Sequence, residues 1–263
     1  MLPYDIPPDK QFASTLARGL ELLQCFKPDE PMLGNKEFVA RTGLDKATVS
    51  RLTYTLAQLG YLRHDVKLGK YRLGAPVLSM GYPLLAGMNL RQIARPWMKE
   101  LADEVRGTVG IGIRDRTDIV YVEACRSDDS DAPPIDIGAS LPLLATSIGN
   151  AWLAKSDPGE RDKALNQIKV QYPQVFSEHA RRLPQALRDF AARGYCTNQG
   201  YWHKGRPAVA VPVAKRVNSE IVVFNCSVAA SSGSEQDIYR RLGLRLITLV
   251  RSIASKAGHS SSW

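Results

Sequence analysis

Residues 43–73 read GLDKATVSRLTYTLAQLGYLRHDVKLGKYRL, and what this stretch is decides how the rest of the chain is read. Val49, Leu52, Leu56 and Leu59 fall three, four and three apart, the spacing of one helical stripe turned toward a core. Lys46, Ser50 and Tyr54 fall four apart on another face, with Arg51 beside them. Asp45 stands where an N-cap belongs and Gly60 where the helix should stop. The following YLRHDVKLGKYRLG reads as two short extended pieces around Asp65 to Lys70, with Gly69 supplying the turn. Residues 44–74 hold six Lys or Arg against Asp45 and Asp65, so the positive charge is concentrated on this helix and hairpin.

Working backward, Leu16, Leu20 and Leu23 give a helix over Phe12 to Phe26, ended by the KPDEP turn at 27–31. Asn35 caps a short helix, Lys36 to Thr42, with Phe38 and Val39 facing inward, and Gly43 supplies a left-handed turn before the next helix. Helix, glycine turn, then a helix rich in small polar and basic residues is the helix-turn-helix pattern, whose second helix enters the major groove. Arg51 can give two hydrogen bonds to guanine, Lys46 can reach guanine or phosphate, and Thr48, Ser50 and Tyr54 suit base or phosphate. The same helix-Gly-helix pattern also describes an ordinary helical hairpin with a solvated face. The hairpin bearing Arg63, His64, Lys67, Lys70 and Arg72 turns the reading, because a basic hairpin after a recognition helix grips flanking phosphates as the wing of a winged helix.

The whole chain has 263 residues, 44% hydrophobic and 23% charged, with a formal net charge of +9. That length suits two domains of ordinary composition. Positive charge favours polyanions as partners without specifying one. No apolar run reaches the ~18 residues of a membrane span, and MLPYDIPPDKQ does not resemble a signal peptide, so a cytoplasmic location and no membrane partner are expected. Cys25, Cys125, Cys196 and Cys226 form no CxxC pair and do not cluster with the four histidines, so neither a metal site nor a cofactor is expected.

Downstream, residues 75–90 read as a linker helix interrupted by Gly81, Pro83 and Gly87. Leu90 to Arg106 is an amphipathic helix (Ile93, Trp97, Leu101, Val105), and TVGIGI and DIVYVEAC are strands joined by a turn at Arg114 to Thr117. Residues 127–140 form an acidic loop; helices follow at Ser147 to Ala154 and Ala180 to Arg193, with a polar helix between. PAVAVPV and EIVVFNCSV pair around Arg216 to Ser219, and a long helix bearing Ile238, Leu242, Leu246, Leu249 and Ile253 closes the chain. The fold class is therefore α+β in two domains, with an antiparallel sheet in the second. The boundaries are a tail (1–11), a winged helix-turn-helix (12–74), a linker (75–90), an effector and oligomerisation domain (91–258) and a tail (259–263).

FVARTGLDKATVSRLTYTLAQLGYL, GKYRLG, NLRQIARPWMKELADEV, LPLLATSIGNAWLA, and RGY followed by GRPAVAVPV resemble, in order, the hallmarks of the isocitrate lyase regulator (IclR) family of bacterial transcription factors. The resemblance spans roughly residues 12–255. It implies a C-terminal GAF- or profilin-like effector domain, a linker helix used in dimerisation, homodimers often paired into tetramers, and a pseudo-palindromic double-stranded DNA operator of a catabolic operon. It also implies a pocket for a small organic acid built from Leu141, Ser147, Ile148, Asn198, Ala208, Asn225 and Ser227. The residues support that pocket: Asn225 and Ser227 share one strand face among Val, Ile and Phe, where polar groups must find partners, although an internal network would serve them as well. Relatives that bind oxo acids often carry Asp and Cys where this chain has Asn198 and Ala208, and small residues where it has Ser147 and Ile148. Tyr121, Trp152 and Trp202 near the same elements favour an aromatic acid, with Arg126 as a fork for its carboxylate. The competing class is an enzyme with Cys196 or Cys226 as nucleophile and His203 as base. It lacks an orienting third residue, and Cys226 should face away from Asn225 and Ser227.

Overall fold

A computed structural model describes residues 11–130, 135–198, 205–229 and 234–258. The chain divides into two units between Ala86 and Gly87.

The first unit holds α1 (Ser14–Gln24), α2 (Asn35–Thr42) and α3 (Lys46–Gln58), then β1 (Leu62–Asp65), β2 (Lys70–Leu73) and α4 (Ala75–Ala86). Leu22, Leu33, Phe38 and Val49 form its core, with Phe26, Leu52, Leu56 and Tyr71 packed around them. The Phe26 and Phe38 rings meet edge to face, 5.6 Å between centroids. Gly43 takes a left-handed backbone (φ 69°) between α2 and α3, a conformation that would strain a residue bearing a β-carbon. β1 and β2 pair antiparallel, Leu62 against Leu73 and Asp65 against Lys70. Leu33 adds a third, one-residue strand by exchanging both backbone hydrogen bonds with Tyr71.

Two stripes differ from expectation. On α1, Leu22 is buried while Leu16 and Leu20 are exposed, because a short helix with leucines on several faces does not declare its inner one. On α3, Val49, Leu52 and Leu56 face the core, but Leu59 is 62% exposed. The helix ends at Gln58, so the helical period does not extend to Leu59. Thr53 is buried instead and satisfies its hydroxyl on the Val49 and Ser50 carbonyls, at 3.0 and 3.1 Å. The expected linker helix over 75–90 stops at Ala86 and a new helix starts at Asn89.

The second unit begins with α5 (Asn89–Val105), β3 (Thr108–Asp115), β4 (Asp118–Arg126), β5 (Ser140–Pro142) and α6 (Ser147–Lys155). It continues through α7 (Pro158–Gln171), α8 (Pro173–His179), a 3-10 turn at Ala180–Arg182, α9 (Leu183–Arg193), β6 (Cys196–Thr197), β7 (Ala208–Pro212), β8 (Val223–Ser227) and α10 (Glu235–Lys256). The six strands form one antiparallel sheet in the order β5-β4-β3-β8-β7-β6. α5 and α10 cover one face, and α6 with α9 behind it covers the other. The buried residues of α5 are Leu90, Ala94, Met98, Leu101 and Ala102: of the expected stripe Leu101 is buried, while Ala94 and Met98 take the inner places one position after the expected Ile93 and Trp97, and Val105 is not among them. β5 lies at the end of the segment expected to be loop, where three residues including Pro142 give too little alternation to betray a strand. The expected helix from Ala180 opens as the 3-10 turn and becomes α-helical at Leu183, with Pro184 in its first turn.

Candidate nucleic-acid interface and effector pocket

The outer face of α3 is fixed by its first turn. Asp45 accepts hydrogen bonds from the Thr48 N–H (2.8 Å) and the Thr48 hydroxyl (2.6 Å), and these hold its carboxyl below the usual carboxylate range. Thr48 therefore spends its hydroxyl proton on the cap. Lys46, Ser50, Arg51 and Tyr54 stand exposed on the helix, and Arg51 has no ion pair among the described residues. On the hairpin, Arg63 and Arg72 are cross-strand partners and both exposed. The Asp65 carboxylate accepts the N–H groups of Lys67 and Leu68 at the tip, and Gly69 completes the turn at φ 61°. Lys67 is exposed beside Val66 and Leu68. Lys70 is half-buried and lies near Glu37, whose carboxylate accepts the Gly34 N–H at 2.9 Å. It is thus less available than Arg63, Lys67 or Arg72.

In the second unit, strand register sorts the expected pocket residues into rows on the α6 side of the sheet. Arg126, Thr108, Ser227 and Ala208 form one row, and Ala124, Gly110, Asn225 and Ala210 the next. Tyr121, Gly112 and Val223 follow, the order on β4 being shifted by a bulge opposite Ile111 and Gly112. The middle row carries no side chain beyond a β-carbon except Asn225, and the Tyr121 ring leans into it over Gly110. A β-carbon at Gly110 would lie 2.7 Å from Tyr121 Cδ1 and 2.8 Å from Asn225 Oδ1. Ile148 and Trp152 of α6 close over this face with Tyr121, Leu143 and Val223; Ser147, the first residue of α6, is buried beside them, and Leu141 packs at the β5 edge. The Arg114 guanidinium sits 4.9 Å from the Trp152 ring centre.

This face holds polar atoms that the protein leaves unmatched. Thr108 Oγ1, Asn225 Oδ1, Trp152 Nε1 and Arg126 Nε are buried without a hydrogen-bond partner among the described residues. Arg126 does donate through its terminal nitrogen to the Ser130 carbonyl. Burial pushes the Tyr121 phenol far above its ordinary pKa, opposed in part by the adjacent Asn225, so it is a neutral hydroxyl. Asn198 is engaged by the protein itself. Its amide oxygen accepts the Ala208 N–H (3.0 Å) and the Tyr239 hydroxyl (3.1 Å), and its nitrogen donates to the Arg206 carbonyl (2.8 Å). It therefore ties β6, β7 and α10 together with both oxygen lone pairs occupied. Trp202 and His203 lie outside the described residues. The sequence reading missed Thr108 and Gly110, although glycine inside a strand is a signal of close approach.

The two cysteines of the enzyme reading are separated by the sheet. Cys196 joins the α6-side core and donates to the Ala186 carbonyl, whereas Cys226 pairs with Val109 and Val209 in the alternate register that faces α5 and α10. Burial pushes each thiol up to about 12, the reverse of what a nucleophile needs.

A winged helix-turn-helix followed by a separate antiparallel α+β domain is the build of a transcriptional regulator. Comparison with known proteins gives the family: residues 15–66 match the IclR helix-turn-helix domain and residues 83–256 the bacterial transcriptional regulator IclR C-terminal domain. The chain belongs to the IclR family of bacterial transcriptional regulators. It is 36% identical over 213 residues to the HTH-type transcriptional regulator TsaQ1/TsaQ2 of Comamonas testosteroni, covering 80% of this chain and 76% of that one. It is 27% identical over 227 residues to XynR of Escherichia coli, covering 85% and 89%. The crystal structure of an IclR family regulator from Brucella abortus superposes with a TM-score of 0.84 at 38% identity, covering 97% of each chain. An IclR homolog from Microbacterium hydrocarbonoxydans crystallised with 4-hydroxybenzoate shares the fold at a TM-score of 0.66 and 23% identity, covering 90% of this chain and 99% of that one. The named relatives are regulators, which agrees with the unreactive thiols in setting the enzyme reading aside.

Proposed function

We propose that the protein is a cytoplasmic, ligand-responsive regulator of a catabolic operon that binds a pseudo-palindromic operator and takes a small organic acid, aromatic by preference, as effector. Lys46, Ser50, Arg51 and Tyr54 read or contact the major groove, Thr48 braces the helix cap, and Arg63, Lys67, Lys70 and Arg72 hold phosphates. The exposed apolar residues of α4 (Leu78, Met80, Tyr82 and Leu84) suit a dimer contact that sets half-site spacing. The observation that carries the effector reading is the set of unmatched buried polar atoms on the α6 face of the sheet, around Tyr121 and beside the cation Arg126. A ligand that shifts the balance of domain arrangements changes operator affinity, and the operator must change ligand affinity by the same factor. The neighbour holding 4-hydroxybenzoate supports the acid class by analogy.

The test is a gel-shift titration against the DNA flanking the gene, with and without a panel of aromatic and aliphatic acids. Saturable retardation that one acid shifts supports the reading; retardation indistinguishable from that of unrelated DNA at every salt concentration overturns it.

A further inference from the structure

The break between α4 and α5 is not written into the residues that make it. Met88, the N-cap of α5, makes no side-chain cap bond, and the first turn of α5 holds no acidic residue. Gly87 stands where a left-handed residue would end α4, yet it is not among the glycines at positive φ. What marks the break is a contact from 131 residues along the chain, inside the second unit. In an unbroken helix the Gly87 carbonyl would accept the Arg91 N–H, four residues on. Here the Arg91 N–H turns to the Met88 carbonyl at 3.0 Å, and the Gly87 carbonyl accepts the Asn218 side-chain amide at 3.1 Å.

Asn218 is itself held in place. It and Ser219 are both left-handed (φ 50° and 67°), forming the turn between Val217 and Glu220, which exchange backbone hydrogen bonds at 2.9 Å each way. Such hairpin turns favour glycine at the second position, so a serine there marks a turn that its surroundings enforce. Arg216 supplies the hold: it donates to the Ser219 carbonyl at 3.1 Å and pairs with Glu160, with Asp157 4.0 Å away. Those two carboxylates are the capping box of α7, the helix after α6. The hairpin is thus clamped to the start of α7 and rests its tip on Gly87. We propose that residues 87 and 88 are a two-state junction. With Asn218 on the Gly87 carbonyl the chain breaks; when the hairpin withdraws, the Arg91 N–H takes that carbonyl and α5 runs back through the break into α4. Either state satisfies the same carbonyl, so a small bias moves the balance. Met88 and Leu90 are 3% and 1% exposed, which anchors the start of α5 and leaves the change to the residues before it. The switch stands on this geometry, while its consequence for DNA rests on the proposed function: the course of the chain through the junction sets where a dimer can place its two recognition helices.

The experiment is amide hydrogen exchange of the full chain, read by mass spectrometry on peptides spanning residues 84–92, in wild type, Asn218→Asp and Asn218→Gly. Aspartate and glycine both tolerate the left-handed turn, and neither can donate to Gly87. A contact that merely braces the junction would speed exchange when lost. A contact that holds the helix open should instead slow it, by about tenfold for the amides of residues 88–91. Arg216→Met should act in the same direction by freeing the hairpin, and an unmoved profile there would remove the α7 clamp from the switch. Exchange that is unchanged or faster in either Asn218 variant overturns the switch itself. Fluorescence anisotropy on the DNA flanking the gene tests the consequence: the slowed variants should bind it with an affinity altered by about threefold or more. Equal affinity would overturn the link to DNA, whereas a wild type that does not bind this DNA would overturn the operator reading and not the exchange result.

Discussion

Tyr121 lies so close to the backbone of Gly110 that a β-carbon there would stand 2.7 Å from Cδ1 of its ring and 2.8 Å from Asn225 Oδ1. Gly110→Ala therefore forces the ring or the strand to move, and overpacking of this kind costs typically about 1–3 kcal/mol. Urea unfolding of the purified chain should show a loss of that size. No loss would mean that the ring swings aside freely and that glycine is not required.

Glu123 sits at the β4 bulge on the sheet face opposite Tyr121, 1% exposed, and pairs with Arg91 at 2.9 Å and Arg95 at 2.5 Å, both on α5. Removing one member of a buried pair strands the other charge. Because Arg95 reaches solvent, Glu123→Ala should fall toward the low end of the range for such losses, about 3 kcal/mol. The double variant Glu123→Leu with Arg91→Met should recover a large part of it, since well-packed apolar replacements of buried ion pairs are often neutral. A double variant as unstable as Glu123→Ala would show that the cluster contributes by packing shape and not by charge.

How much of this was legible follows from what each signal depends on. The helix-turn-helix was readable because its signals are local: the Asp45 cap, the left-handed Gly43 and the spacing of Val49, Leu52 and Leu56 all lie within one or two turns of helix. The inner faces of α1 and α5 were not, because leucines and isoleucines on several faces leave tertiary packing to choose between them. In the pocket, alternation along β8 placed Asn225 and Ser227 on one face. Thr108 escaped notice because a β-branched residue at a strand start is unremarkable until its hydroxyl proves unmatched. The bonding of Asn198 was hidden for the opposite reason: its partner Tyr239 lies on a helix 41 residues away, and no sequence spacing reveals that bond.

Thiol chemistry should divide the chain by burial. With Cys196 and Cys226 pushed up to about 12 and enclosed on opposite faces of the sheet, only on the order of one thiol in ten thousand is ionised near pH 8, from the pKa alone. Treatment with a maleimide under native conditions, read by peptide mass spectrometry, should label half-buried Cys25 first and leave Cys196 and Cys226, like buried Cys125 on β4, unmodified until denaturant is added. Rapid native labelling of Cys226 would contradict the packing of α10 on the sheet.

The α3 cap makes the DNA-binding unit sensitive to acid. Asp45 has a folded pKa below its ordinary value, chiefly through the Thr48 hydroxyl and then the Thr48 N–H. A depressed carboxylate contributes stability that is fully present above its unfolded pKa and is lost as pH falls through the folded one. The contribution should therefore be intact at neutral pH and disappear only below the usual aspartate range. Asn caps about as well as Asp without titrating, so Asp45→Asn should remove this component of the pH dependence. Amide hydrogen exchange across residues 46–50, followed over a pH series, checks it; identical profiles for wild type and Asp45→Asn would dismiss the cap as the source.

The two halves of the interface should fail differently on DNA. Arg51 is exposed on α3; under the proposed function it reaches base edges, where a bidentate contact to guanine discriminates by about 1–3 kcal/mol. Arg51→Ala should lower affinity for the operator by that amount and leave affinity for unrelated DNA nearly unchanged, so the ratio of the two collapses. Arg63 and Arg72 are cross-strand partners on the hairpin, and the proposed function assigns them phosphate contacts. Arg63→Ala or Arg72→Ala should weaken all sequences alike and flatten the slope of log affinity against log salt by about 0.9 for each phosphate that is no longer neutralised. Fluorescence anisotropy on operator and scrambled duplexes, at four or more salt concentrations, separates the two patterns. If Arg51→Ala changed the salt slope and left the operator preference intact, α3 would be a phosphate-binding helix and the reading of bases would have to be assigned elsewhere on the unit.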